Sequence, residues 1–413
     1  MLVIGAGAAG LMAACFASQK TLVLERLQFP GRKLLVTGGG RCNLTHATDP
    51  SGIMACFGRQ ARFMAPALYN FPPNQICDFF HHNGVDTVSQ PDGCVFPASQ
   101  KAADVLQALI NKALANGAQI QTSVTVERLI VETLDDTTSR ITKVITSAGE
   151  IHPQRVILAA GGMSYPSLGS DGSGFRLAQQ AGLKIVPPLP ALAGLKTVES
   201  WPAELTGIVL KNAAIRLTEK GCSKKWHEGE LLFTHQGLSA PPVLDLSGEI
   251  AWLLSQKMTQ PDCAVQIELN LDCSRSMQQW QEIFDGWRKD KGGRALHNLL
   301  AGELPRNLAQ ILCRESALTD CAIARAPKEK LSHLIKRLTA SPLQIKAVDG
   351  WDKAMVTRGG VDLQELDPQT MACRRIPNLF CVGEVVDLDG GCGGYNLTWA
   401  FASAVLAATS IGE

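Results

Sequence analysis

The chain opens on Leu2-Val3-Ile4-Gly5-Ala6-Gly7-Ala8-Ala9-Gly10-Leu11-Met12-Ala13-Ala14, an apolar strand running straight into GxGxxG and then into a helix of small residues. Few folds accept that order. Gly5 permits a tight strand-to-helix turn, Gly7 lets the backbone approach a pyrophosphate, and Gly10 lets helix and strand pack closely. The unpaired N–H groups at the helix start, around Ala8 and Ala9, then face the phosphates. Glu25 follows the next apolar strand, Thr21-Leu22-Val23-Leu24, where an acid accepts ribose hydroxyls. A lone GxGxxG also marks ordinary turns, whereas strand, helix and acid together specify a dinucleotide site.

A chain of 413 residues is too long for one core and predicts two or three domains. Its 46% hydrophobic and 19% charged residues are ordinary for a soluble globular protein. No run of about 18 uninterrupted apolar residues predicts a membrane-spanning helix. No basic leader with a cleavage site precedes the first strand, so a cytoplasmic protein without membrane attachment is expected. The formal charge of +1 neither requires nor excludes a polyanionic partner. Basic residues gather from about 280 to 346: Arg288, Lys289, Lys291, Arg294, Arg306, Arg314, Arg325, Lys328, Lys330, Lys336, Arg337 and Lys346. A solvated helical face and an RNA-binding face both account for them. The thirteen cysteines are odd in number and form no CxxC pair, which supports neither a disulfide framework nor a metal site.

Residues 1–190 read as an α/β nucleotide-binding domain that resumes over 350–413. Within it, Gly31 to His46 is too rich in glycine for a regular element and is expected as an extended loop against a ligand. Ala102 to Ala115 has helical spacing, Ala118 to Glu132 is strand-like, and Arg155 to Gly162 is a buried strand ending in a glycine turn. Pro187, Pro188 and Pro190 mark a boundary. The insertion, 191–349, alternates like antiparallel strands to about 275 and turns helical over about 276–340.

Near the end, Leu379 to Glu384 is a short buried strand entering a turn, and Gly390 to Asn396 leads into an apolar helix. This second nucleotide-facing segment suits a cofactor gripped along its whole length, as FAD is. Gly383 allows close approach and Asp387 hydrogen-bonds ribityl or pyrophosphate-linked groups, unless it is a satisfied surface carboxylate. The Gly393-Gly394-Tyr395-Asn396 turn points a helix N-terminus at the pyrimidine end of a flavin, with Asn396 also able to cap the helix.

Taken in order, Gly5 to Gly10, Gly31-Arg32-Lys33, Gly38-Gly39-Gly40-Arg41-Cys42-Asn43, Leu232 to Ser239, Thr357-Arg358-Gly359-Gly360-Val361, and Gly383-Glu384 through Asn396 resemble the BaiN/YhiN-like bacterial flavoproteins, also described as aminoacetone-oxidase-like. The resemblance spans nearly the whole chain. Two departures stand out. Relatives have a few more residues before the first strand, which points to a start upstream, and Ala159-Ala160-Gly161-Gly162 has alanine where many carry threonine.

The resemblance implies a glutathione-reductase-like FAD-binding Rossmann domain, split by a β-barrel-like domain and a helical subdomain. It implies non-covalent FAD held by Gly5, Gly7, Ala8, Ala9, Gly10, Glu25 and Arg26. Arg32, Lys33, Gly39, Gly40, Asn43, Val126, Ala160 and Gly161 extend that set, and Gly383, Glu384, Asp387, Gly394, Tyr395, Asn396 and Leu397 complete it. Family activities are reduction of conjugated C=C bonds, in bile-acid-type enones or in a large-subunit rRNA uridine giving dihydrouridine, and oxidation of aminoacetone.

All share hydride exchange at flavin N5 with a proton moved by a nearby group. Cys42 is a candidate donor or a small core cysteine. Arg41 holds an anion or carbonyl, or pins its loop in a salt bridge. His235, read in a strand-to-helix transition, transfers protons near neutral pH or caps its own turn with Thr234 and Ser239. No second GxGxxG follows the Val156 strand, so NAD(P)H is expected as a transient reductant. The expected substrate is an rRNA uridine; the rivals are a small-molecule oxidase or enone reductase, and an RNA-binding assembly factor that keeps FAD without turnover.

Overall fold

Leu2–Ile4, Leu22–Leu24, Val156–Leu158 and Leu379–Cys381 are runs of almost wholly buried apolar residues, the composition of strands covered on both faces. With Gln119–Gln121 they form one parallel sheet, ordered 379–381, 156–158, 2–4, 22–24, 119–121. Leu2 lies opposite both Val156 and Leu22, and Val156 opposite Leu379. These relations come from a computed structural model, which describes residues 1–135, 138–257 and 264–411, with only the backbone at Arg59.

The helix Ala8–Phe16 leaves the first strand through Gly5, which holds φ at +102°. A Cβ on Gly5 would lie 2.5 Å from the Ala159 carbonyl oxygen, and one on Gly10 would collide with the Gly5 carbonyl. Only glycine fits either place. The last helix, Tyr395–Ser410, is buried over most of its length and packs on Ala8–Phe16. Trp399 Nε1 donates to the Gly383 carbonyl (3.1 Å) and the Gly383 N–H donates to Ser403 Oγ (3.0 Å). Both backbone polar groups of that turn are thereby satisfied without water.

Two compact units result: Met1–Ala191 with Trp351–Glu413, and Leu192–Gly350. The second unit contains a closed six-stranded barrel, ordered Leu195–Thr197, Gly237–Ser239, His227–Thr234, Val209–Leu217, Val265–Asn270 and Ser341–Val348. Closure leaves no strand edge exposed to pairing. Helices Met277–Asp290, Arg306–Glu315 and Lys328–Thr339 bury Trp280, Phe284, Leu308, Leu312 and Leu334 in the same core. Among the described residues, no helix is long and apolar enough to cross a membrane.

Several local expectations need correction. The Gly31–His46 stretch is not extended: Leu34–Gly40 winds in tight turns, broken where Thr37 is extended and Gly38 and Gly39 are left-handed. Left-handed residues in series curl a chain instead of stretching it. The strand Ile185–Ala191 runs through all three prolines and pairs antiparallel with Val356–Val361. A register shift between Val186 and Leu189 takes Pro187 and Pro188, which have no hydrogen to donate, out of the ladder, while Pro190 stays in register opposite Thr357. His235 is in no strand-to-helix transition; with Gln236 it forms the exposed turn of a hairpin between His227–Thr234 and Gly237–Ser239.

Candidate cofactor site

One cavity of about 430 Å³ lies wholly within the first unit, at the carboxyl ends of the parallel strands. Ile4, Leu24, Ala159 and Val382, each at or just past the end of a strand, contribute to its wall. Open α/β sheets bind ligands at this edge. Of the residues expected to hold a cofactor, Gly5, Gly7, Ala8, Ala9, Glu25, Arg26, Arg32, Lys33, Val126, Ala160, Gly161, Glu384, Asn396 and Leu397 line it.

At the first turn, Gly7 precedes the helix with an ordinary φ of −83°, and nothing lies within 4 Å of where its Cβ would be. No packing within the protein requires glycine there; a Cβ would project into the cavity that Gly7 lines. Glu25 is oriented from both sides: Oε2 accepts the Ala6 N–H and Oε1 the Leu27 N–H, each at 2.9 Å. Ionised carboxylate oxygens keep further lone pairs for a hydroxyl. Arg26 pairs with Asp171 (3.0 Å) while its Nε is buried with no partner. An orphaned donor on a cavity wall is a place for a ligand acceptor. Burial pushes Asp171 up, but the Ser173 hydrogen bonds and the Arg26 and Arg176 charges outweigh it and leave the carboxyl below its ordinary value.

Lys33 carries the cation at another part of the wall. Its Nζ donates to Glu384 Oε2 (2.6 Å) and Ser164 Oγ (2.5 Å). Glu384 Oε1 accepts from Thr357 N–H and Ser164 Oγ, both at 2.9 Å. Thr357 Oγ1 in turn accepts the Met163 N–H (2.8 Å). Four segments distant in sequence are tied around one ion pair. Ser164, Thr37, Asp171 and Trp399 were not among the expected site residues. For Asp171 the signal existed, a Gly169-Ser170-Asp171-Gly172 turn rich in glycine, but its partner Arg26 is far along the chain.

Other expected residues stand behind the wall. Gly10 packs helix on strand, and Gly383 sits at φ +70° against Ala9. Gly394, which has no room for a Cβ against Thr45 O and Asn43 Oδ1, joins the two glycine-rich loops. Asn43 Oδ1 is buried without a partner, while Gly39 faces open space and neither it nor Gly40 lines the cavity. Tyr395 stacks on His46 with centroids 4.9 Å apart. Asn396 is not the helix cap: Gly394 is, without a side-chain bond, and Asn396 instead bonds the Gly390 N–H and carbonyl, each at 2.9 Å. Asp387 is buried off the wall and accepts from Gln60 Nε2 (3.3 Å). Burial, with Asp389 adding to it, raises its carboxyl against the hydrogen bonds of Gln60 and Gly359.

The proposed reactive residues fare differently. Cys42 is fully buried in the core and off the cavity wall, and burial pushes its thiol up to about 12. In that environment the thiol packs as a small core residue, away from the cavity wall. Arg41 is exposed, donates to Gly38 O (3.2 Å) and lies 4.3 Å over the Phe96 ring, so a stack and a backbone bond, in place of the expected salt bridge, hold it. His235 belongs to the second unit. Cys15, Cys42, Cys313, Cys373 and Cys381 are buried thiols outside any disulfide; Cys263 lies outside the described residues.

The HI0933-like protein Rossmann domain family matches residues 1–410. The chain belongs to this family. It is 32% identical, over all of this chain and 98% of the relative, to the 3-dehydro-bile acid delta(4,6)-reductase of Clostridium scindens. It is 30% identical to the ribosomal RNA dihydrouridine synthase of Escherichia coli, over 98% of this chain and 95% of that one. In fold it is similar to 3-ketosteroid delta1-dehydrogenase from Sterolibacterium denitrificans, with a TM-score of 0.54 and 12% identity over 99% and 98% of the two chains. The protein is a FAD-dependent oxidoreductase with a Rossmann-type FAD-binding domain. The open space at Gly7 and the orphaned Nε of Arg26, on the same cavity wall as Glu25, Lys33 and Asn396, fit FAD.

Proposed function

We propose that this protein reduces a conjugated C=C bond, and that its substrate is a uridine of large-subunit rRNA, converted to dihydrouridine with NAD(P)H as the transient reductant. When bound and reduced by NAD(P)H, FAD would supply hydride-transfer chemistry to the C=C bond, the proton coming from a group of the protein or from water. Gly7 and the following N–H groups hold the pyrophosphate, and Glu25 holds the ribose. Lys33, held by Ser164 Oγ and Glu384 Oε2, would present a fixed polar group to the cofactor from the cavity wall. Arg41 offers the substrate's phosphate or carbonyl an exposed guanidinium.

The observation that carries the reading is full-length similarity to the E. coli synthase, joined to a cavity at the strand ends with a half-buried Lys33–Glu384 pair on its wall. Similarity to the C. scindens reductase supports a second reading, a bile-acid-type enone as substrate. The test uses purified holoenzyme under anaerobic conditions with NADH or NADPH and an unmodified large-subunit rRNA transcript. Mass spectrometry of the digest should show one uridine that has gained two hydrogens. Reduction of a bile-acid dienone with an untouched transcript would instead select the second reading.

A further inference from the structure

The basic stretch noted in the sequence separates into cations that are occupied and cations that are not. Arg314 makes a two-pronged pair with Glu204, at 2.9 and 2.7 Å. Arg337 is half-buried beside the Trp201 ring, and Lys330 Nζ donates to the Ala317 carbonyl. None of these is available to a partner without losing a contact. Lys289, Lys291, Arg294, Arg325 and Lys328 are exposed, and no ion pair joins any of them to an acid among the described residues.

The fold brings these five together. Residues 288–294 end one helix and turn through Gly292-Gly293; residues 322–328 lead into another. The Ile323 N–H donates to Arg294 O (3.1 Å), the Ala324 N–H to Gly292 O (3.0 Å), and Arg288 Nη2 to Ala326 O (2.5 Å). Arg288 thus acts as a buttress that fixes the two segments side by side. Over 288–294 and 324–330 there are seven Lys and Arg against Asp290 and Glu329, in a chain whose formal net charge is only +1. The concentration is therefore local and is offset by acids elsewhere.

We propose that this paired surface, Lys289, Lys291 and Arg294 beside Arg325 and Lys328, docks the phosphate backbone of RNA. Five unpaired cations on a rigid platform release counterions when phosphates replace them, which makes binding tight at low salt and steeply salt-dependent. A membrane surface is the other polyanion, but none of the exposed large apolar side chains lies in either segment, and an interfacial anchor needs them. Gly293 has nothing within 4 Å of its would-be Cβ, which leaves the turn open to close approach. As a docking surface for the substrate, the proposal rests on the rRNA reading above; as a surface for RNA it is tested separately.

The experiment compares holoenzyme with a variant carrying Lys289→Gln, Lys291→Gln, Arg294→Gln, Arg325→Gln and Lys328→Gln. A control carries Lys220→Gln, Lys224→Gln and Lys225→Gln, three exposed lysines elsewhere in the same unit. Affinity for an unmodified large-subunit rRNA transcript is measured from 0.05 to 0.3 M salt, alongside flavin content, thermal midpoint and dihydrouridine formation. The five-site variant should keep its flavin and midpoint, bind at least about tenfold more weakly, and show a log–log salt slope shallower by about 3. The control should shift the slope by less than about 1. If the five-site variant does not fold, its 289/291/294 and 325/328 halves are each expected to give part of the loss. Unchanged affinity and slope, equal weakening by the control, or equal binding to anionic vesicles overturns the docking surface. Weakened RNA binding with no dihydrouridine from either protein leaves the surface standing and removes the rRNA-uridine reading; dihydrouridine formed equally well by both, with unchanged affinity, does the reverse.

Discussion

At the scale of single residues, two glycines of one fingerprint have opposite reasons to be glycine. A Cβ on Gly10 strikes the Gly5 carbonyl, whereas a Cβ on Gly7 meets empty cavity. Gly10→Ala should therefore lose folded protein, while Gly7→Val should fold with an unchanged apoprotein melting curve and lose FAD affinity by at least about tenfold, roughly the 1.4 kcal/mol that a displaced contact costs. Fluorescence titration of apoprotein with FAD separates the two. Cys42→Ser should leave the turnover rate within about threefold, and the pH profile should contain no inflection from this thiol below about 10, because burial holds it near 12. Asp171 gives the pH signature. Its folded value is lowered, so its stabilisation is present above the ordinary aspartate value and is lost as pH falls through the folded value. Asp171→Asn should cost about 1 kcal/mol at pH 7, and the cost should fade below about pH 4 in denaturant melts.

At the scale of elements, one side chain substitutes for a strand. Asn378, just before the Leu379–Cys381 strand, exchanges two bonds with Ile141: its Oδ1 accepts the N–H at 2.9 Å and its Nδ2 donates to the carbonyl at 2.8 Å. Asn378→Leu leaves both buried backbone groups unpaired and should lower stability by about 2 to 4 kcal/mol, read as a shift in denaturant midpoint with unchanged slope. Elements with strong local signals were legible in the sequence: the first strand, its glycine turn and the Ala102–Ala115 helix stand where periodicity places them. Two kinds of feature were hidden. The strand over 185–191 went unread behind its prolines, because the partner that pairs with it lies at 356–361. The Lys33–Ser164–Glu384–Thr357 network was also hidden, since each member is an ordinary polar residue until the fold joins them across as many as 351 positions. Asn396 illustrates the remaining ambiguity: an asparagine beside a helix start reads as a cap, yet the loop it actually bonds is one turn of chain earlier.

At the scale of the whole molecule, the cofactor and the fold of the first unit are linked. FAD at about 100 times its dissociation constant should stabilise that unit by about 2.7 kcal/mol, or roughly 5 °C or more in melting temperature, and leave the second unit's transition in place. Calorimetry with and without added FAD checks both statements. The sheet order has a consequence in time. The strand at 379–381 pairs with 156–158, and the helix that covers the opening fingerprint comes from 395–410. A ribosome delivers these pieces after the barrel unit, so the N-terminal segment waits with one sheet edge unpaired and its nucleotide turn uncovered while that unit is made. Cofactor capture should therefore follow synthesis of the barrel unit, and chains released just past the barrel should retain no FAD on purification.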